Sequence, residues 1–154
     1  MNSRDDVQYR LDLSKGFLNE AKEDFELKRW RSCVDNAQLS VENSGKAILM
    51  LFGVTLKSHE PAKQLSQLVH ESKIPKTIRD RMKDILPDFL TLGVEEHFMT
   101  DYGDESTYTL PWELFDEQSA NKALRAAKKC QTLSEEIVND VHQWRSAGEK
   151  NGAK

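Results

Sequence analysis

The sequence predicts an all-α protein, an up-and-down bundle of four long amphipathic helices plus a short fifth. Three observations carry that prediction. Apolar residues recur in steps of three and four over most of the 154 residues, the period that only a helix turns into one face. No stretch alternates in the two-residue rhythm of a strand. Only four prolines and seven glycines interrupt the chain. The composition, 38% hydrophobic and 31% charged, suits one domain, placed at residues 1–145 with a flexible tail over 146–154.

The first helix starts near Ser3 or Asp5, with Asp5 and Asp6 placed against its positive end. Val7, Leu11, Leu18, Ala21 and Phe25 mark its inner stripe. A brief link, Leu27-Lys28-Arg29, leads into a second long helix from Trp30 that ends at Gly53 as a C-terminal glycine. So short a connection implies an antiparallel hairpin. The inner face of the second helix runs Trp30, Val34, Ala37, Val41, Ser44, Ala47, Ile48 and Leu51. Gly45 within it costs about 1 kcal/mol relative to alanine. With Ala37, Ser40 and Ser44 it suggests that another backbone crosses close by.

Ser58 and Pro61 read as the cap and first turn of a short third helix, about Glu60 to Glu71. Pro75 opens a fourth, with Ile78, Met82, Ile85, Leu86, Phe89 and Leu90. Pro87 lies inside that pattern, where a missing donor should break it into Lys76–Leu86 and Asp88–Phe98. Periodicity vanishes from Met99 to Phe115, an ordered aromatic-rich loop. A last helix, Asp116 to Trp144, turns Ala120, Ala123, Leu124, Ala127, Leu133, Ile137, Val141 and Trp144 inward. The tail after Arg145 has no apolar anchor and should fray.

The order of elements resembles the HEPN domains (higher eukaryotes and prokaryotes nucleotide-binding). The residues that carry the likeness are Ala37-Gln38, Val41-Glu42 and Lys46-Ala47 on the second helix, Gly53, then His59 with Gln64-Leu65, then Asp101-Tyr102-Gly103-Asp104 and Pro111 before the Ala120–Ala127 run. The likeness covers about residues 8 to 140. It implies a helical domain that forms homodimers, pairs with a small, separately encoded nucleotidyltransferase and in some members binds nucleotides. Asp101 stands where the family pattern has arginine, and Gly103 where it has proline.

The family also includes metal-independent ribonucleases marked by Arg-x(4–6)-His, in which histidine moves a proton and arginine stabilises phosphorane charge. No arginine stands five to seven residues before His59, His70, His97 or His142; Lys63 before His70 is the nearest approximation, and lysine lacks the bidentate fork. The signature is absent, so no catalytic residue is assigned; no cofactor is expected either. Glu95, Glu96, His97, Asp101 and Asp104 form an acidic cluster with one imidazole, and no further histidine or cysteine completes a metal set.

The candidate ligand-binding residues are therefore Tyr102, Asp104 and Trp112 in the loop, with Lys122 and Arg125 on the last helix beside Lys128 and Lys129. A second basic group, Lys76, Arg79, Arg81 and Lys83, is interrupted by Asp80 and Asp84 and reads as a solvated face. Glu42 and Lys46 form an ordinary helix pair. A net charge of −4 argues against broad nucleic-acid binding, which needs many cations on phosphates. Cys33 and Cys130 read as buried reduced thiols, with a disulfide between their helices as the alternative. The start has no apolar segment of a secretion signal and no run spans a membrane, so a cytoplasmic location is expected.

The leading expectation is a non-catalytic, homodimeric binding module. The alternative is an endoribonuclease, the toxin of a toxin–antitoxin pair, using His97. A purely structural dimerisation bundle is the third reading.

Overall fold

The computed structural model describes residues 3–54, 56, 61–92 and 99–152. It is an all-α bundle. Among the described residues six helices follow in order: α1 (Ser3–Glu26), α2 (Trp30–Leu51), α3 (Pro61–Leu68), α4 (Lys76–Thr91), α5 (Pro111–Leu114) and α6 (Glu117–Gly152). Residues 99–102 add one helical turn. Among the described residues the only β feature is an isolated antiparallel bridge between Asp104 and Thr109.

α1 and α2 form the expected hairpin. Lys28, at φ 58°, reverses the chain, and the Phe25 and Trp30 rings close the turn edge to face at 5.3 Å. Inside the hairpin Val7, Leu11, Leu18 and Ala21 of α1 are buried, and Ser14 fills the gap between Leu11 and Leu18. Its hydroxyl donates to the Ser40 carbonyl at 2.8 Å and lies 2.6 Å from the Ser44 hydroxyl. A serine there lets the helices approach, while the satisfied hydroxyls avoid the cost of buried unpaired polar groups.

α2 is the central rod, with Val34, Ala37, Val41, Ala47, Ile48 and Leu49 at 2% exposure or less. α1, α3, α4, α5 and α6 all pack against it. The crossing expected at its small residues divides in two. Ser40 and Ser44 do meet α1, but Gly45 meets the Phe89 ring of α4 rather than a backbone. Gly53, at φ 70°, ends the helix region as expected. The Arg145 guanidinium of α6 donates to the Leu51 carbonyl at 2.8 Å, satisfying one of the last acceptors of α2.

Three boundaries differ from the sequence reading. Pro87 does not break its helix: α4 runs unbroken to Thr91. Pro87 lies on the exposed side, while Met82, Ile85 and Phe89 bury the opposite stripe and hold both halves in line. Of the piece expected over Asp88–Phe98, residues 93–98 lie outside the described residues, as do Ser58 and Glu60; α3 itself ends at Leu68, short of Glu71. The last helix does not stop at Trp144 but continues to Gly152, and Trp144 is 38% exposed rather than inward. Backbone hydrogen bonds propagate a helix past its last packed residue.

Candidate ligand-binding groove

A groove of about 710 Å³ opens between the C-terminal half of α4, the segment 99–115 and the first half of α6. Its position follows from local sequence. Ala123 and Ala126 keep α6 slim where it lines the groove with Leu92, at the end of α4, and Phe115, so the walls stay apart. Val34 of α2 and Met99 complete an apolar lining.

The polar wall is one face of α6. Gln118, Lys122, Arg125 and Lys129 line the groove at steps of four, three and four, a helical stripe. Lys128 is not among the lining residues. Lys129 pairs with Asp88 across the groove at 3.1 Å. Three cations against one carboxylate leave an excess of two positive charges in this lining. Ser119, near the mouth, is already engaged: its N–H and hydroxyl both donate to Asp116 at 2.9 Å. Those bonds cap α6 and hold the exposed Asp116 carboxyl below its usual value.

The five residues singled out in the sequence do not form one site. Lys122 and Arg125 line the groove; Tyr102, Asp104 and Trp112 do not. Asp104 instead organises its own turn, accepting from the Ser106 hydroxyl at 2.6 Å and the Ser106 N–H at 3.0 Å. The hydroxyl bond is the main reason its carboxyl is held below the usual range. Tyr102 is 64% exposed. Trp112 borders a smaller depression on the other side of Phe115. Its ring lies 5.8 Å from the Arg31 guanidinium, a cation–π contact.

Gly103 explains a departure noted in the sequence. Its φ is 71°, a region closed to proline, and a Cβ there would collide with the Thr109 carbonyl and meet Pro111 Cδ at 3.0 Å. Phe115 is a groove residue that the sequence places at the end of an aromatic loop; it is the one ring of that loop that is buried, at 8% exposure. Asp88, Thr91 and Leu92 are obscured in the sequence by the expected break at Pro87.

Other candidate groups have structural partners. Arg81 joins Glu136 at 2.9 Å and Asp140 at 3.3 Å, tying α4 to α6. Arg79 donates to the Ile74 carbonyl, and Lys46 pairs with Glu42 at 2.9 Å. Cys33 and Cys130 are free and buried. His59 and His97 lie outside the described residues, with Glu95 and Glu96 of the acidic cluster. Among the described residues no group of three His, Cys, Asp or Glu side chains is placed to hold a metal ion, and no helix is long and apolar enough to cross a membrane.

Known proteins resemble this chain over most of its length. A family model described as HEPN domain matches residues 7–138. A protein of Methanocaldococcus jannaschii named "Putative toxin MJ1304" is 23% identical over 140 residues, which are 86% of this chain and 91% of that protein. Two crystal structures share the fold at 19% identity. TT1696 from Thermus thermophilus aligns with a TM-score of 0.64 over 85% of this chain and 97% of its own. ST0689, described as an archaeal HEPN homologue, aligns with a TM-score of 0.55 over 90% and 96%.

Proposed function

The chain belongs to the HEPN domain family, and from that premise we propose that it is a non-catalytic module that binds a nucleotide in the groove between α4 and α6. The observation that carries this reading is the pairing of an apolar lining with the Lys122, Arg125 and Lys129 stripe. A base and sugar fit the first, and a phosphate is attracted to the second. The volume lies within the roughly 300–1,000 Å³ of small-molecule sites. The sequence lacks Arg-x(4–6)-His, which supports binding over catalysis. On family grounds the module is a homodimer and the partner of a small nucleotidyltransferase; sedimentation equilibrium at micromolar concentration tests the first, with a monomer counting against it.

Isothermal titration with AMP, GTP and ATP tests the ligand. Binding is expected, and Lys122→Glu/Arg125→Glu should weaken it at least about tenfold, since charged hydrogen bonds contribute about 1.5–3 kcal/mol each. Absence of heat with all three nucleotides, or indifference to the double substitution, refutes the groove as a nucleotide site.

One observation favours a second reading: the relative of M. jannaschii carries the name "Putative toxin MJ1304". Under that reading the protein is an endoribonuclease using His97. Cleavage of RNA by the purified protein, abolished by His97→Ala, would replace the binding-module reading.

A further inference from the structure

On the far side of Phe115 from the groove, the start of α2 and α5 enclose a second depression of about 440 Å³. Phe115 lines both, so the two are neighbours across a single ring. Lys28, Arg29 and Arg31 line the second depression with Ser32 and Trp112, and no carboxylate stands among its described lining residues. No carboxylate among those lining residues offsets the three cations, an arrangement that an anion relieves.

The side chains there divide into two roles. Arg31 is fixed from within, donating to the Thr100 carbonyl at 3.0 Å and to the Ser32 hydroxyl at 3.2 Å while it lies over Trp112. It thereby positions the indole, which remains 69% exposed. An exposed indole held by a cation is a stacking platform for a planar base. Lys28 and Arg29 are exposed at the rim, where they reach a phosphate. The positive end of α2, where Arg29 supplies no side-chain capping hydrogen bond, adds to the same field.

We propose that this depression is a second nucleotide subsite, and that the ligand of the protein is a dinucleotide straddling Phe115. One unit lies in the groove against Lys122 and Arg125; the other stacks on Trp112 with its phosphate at Lys28 and Arg29. The proposal rests on the reading of the groove as a nucleotide site. Joining two units makes the second binding event intramolecular, at a high effective concentration, so the joined ligand binds more tightly than either unit alone.

The test compares AMP with 5′-phosphorylated diadenylate by titration into the full chain. Diadenylate should bind at least about tenfold more tightly than AMP. Lys28→Asn/Arg29→Glu should return diadenylate to the affinity of AMP and leave AMP itself unchanged. Asparagine is chosen at 28 because it tolerates the positive φ of that position. Trp112→Ala, at an exposed position, should act in the same direction, and an unchanged urea midpoint shows that each variant is folded. Equal affinity for AMP and diadenylate, or indifference of diadenylate to both variants, overturns the proposal. So does a hexaglutamate peptide that binds as tightly and responds to the same substitutions, because the site is then a docking surface for acidic protein. If diadenylate responds to Lys28→Asn/Arg29→Glu but no nucleotide responds to Lys122→Glu/Arg125→Glu, the groove reading fails and the straddling ligand with it, and the depression at Trp112 is a nucleotide site by itself.

Discussion

Replacing Gly45 with alanine should destabilise this protein, the reverse of what a helical glycine normally gives. In an open helix Gly→Ala stabilises by about 1 kcal/mol, because alanine has less backbone entropy to lose. At position 45 the added Cβ would lie 2.7 Å from Phe89 Cε1, with two further ring carbons at 3.3 Å. Phe89 is 3% exposed, so its ring has no solvent to swing into. Overpacking of this kind costs about 1–3 kcal/mol. Subtracting the propensity gain leaves a net loss of about 0–2 kcal/mol, with about 1 kcal/mol as the centre.

Urea unfolding reads the outcome directly. With a slope of about 1–3 kcal/mol per molar, a loss of about 1 kcal/mol lowers the midpoint by about 0.3–1 M. Gly16 supplies the matched control: it is exposed in α1, and a Cβ there meets nothing within 4 Å, so Gly16→Ala should raise the midpoint. A cycle with Phe89→Leu isolates the contact, because a smaller side chain makes room and the double variant should recover about 1 kcal/mol relative to additivity. Since Phe89 follows Asp88 and precedes Thr91 on the groove wall, Gly45→Ala should also weaken ligand binding there. A Gly45→Ala midpoint that rises as much as that of Gly16→Ala, or a strictly additive cycle, refutes the argument.

Three further outcomes are expected. Ser14→Ala should cost about 1–3 kcal/mol in the same unfolding assay, because it deprives the buried Ser44 hydroxyl of a partner at 2.6 Å. Burial, helped by the charge of Asp24, pushes the Cys33 thiol up to about 11, and burial beside Asp88 pushes Cys130 further in the same direction; both should resist a thiol reagent until the protein unfolds. Because these folded values exceed the unfolded one, stability should be intact below about pH 8.5 and fall as the pH rises above it, a slope that the double alanine variant removes. Burial first, then the charges of Arg4 and Arg145, lower the His142 value. The unfolded chain therefore takes up that proton first, so stability should decline as pH drops below about 6.5. His142→Gln should flatten this decline, and an imidazole NMR titration at or above about 6.5 in the folded protein would contradict it.

The long helices were legible because burial imposes a period on the sequence, and a period survives without knowledge of the neighbours. What the period cannot carry is identity of the neighbour. Ser14 occupies a core position yet reads as polar, since its partners Ser40 and Ser44 are 26 and 30 residues away. Gly45 announces a close approach but not whether a backbone or a ring makes it. Pro87 misleads for the opposite reason: its local penalty is real, but the buried stripe of Met82, Ile85 and Phe89 outweighs it. Tertiary packing decides such cases, and no local rule contains it.

The groove follows the same logic with a sharper consequence. The 118–122–125–129 stripe is visible in the sequence, but a stripe becomes a wall only when α4 stands opposite and Phe115 closes one end. Tyr102 and Asp104 resemble site residues because they occupy a motif position; in the fold, the φ of 71° at Gly103 and the Ser106 bonds turn Asp104 inward on its own loop. A carboxylate engaged in holding its own turn is poorly placed to meet an anionic ligand, and keeping it away from Lys122 and Arg125 preserves the positive excess of the groove. The chain as a whole carries a charge of −4, so long-range attraction cannot bring nucleotides to it. In the proposed reading recognition comes from cations concentrated on two short stretches, 28–31 and 122–129, that line the two depressions sharing Phe115.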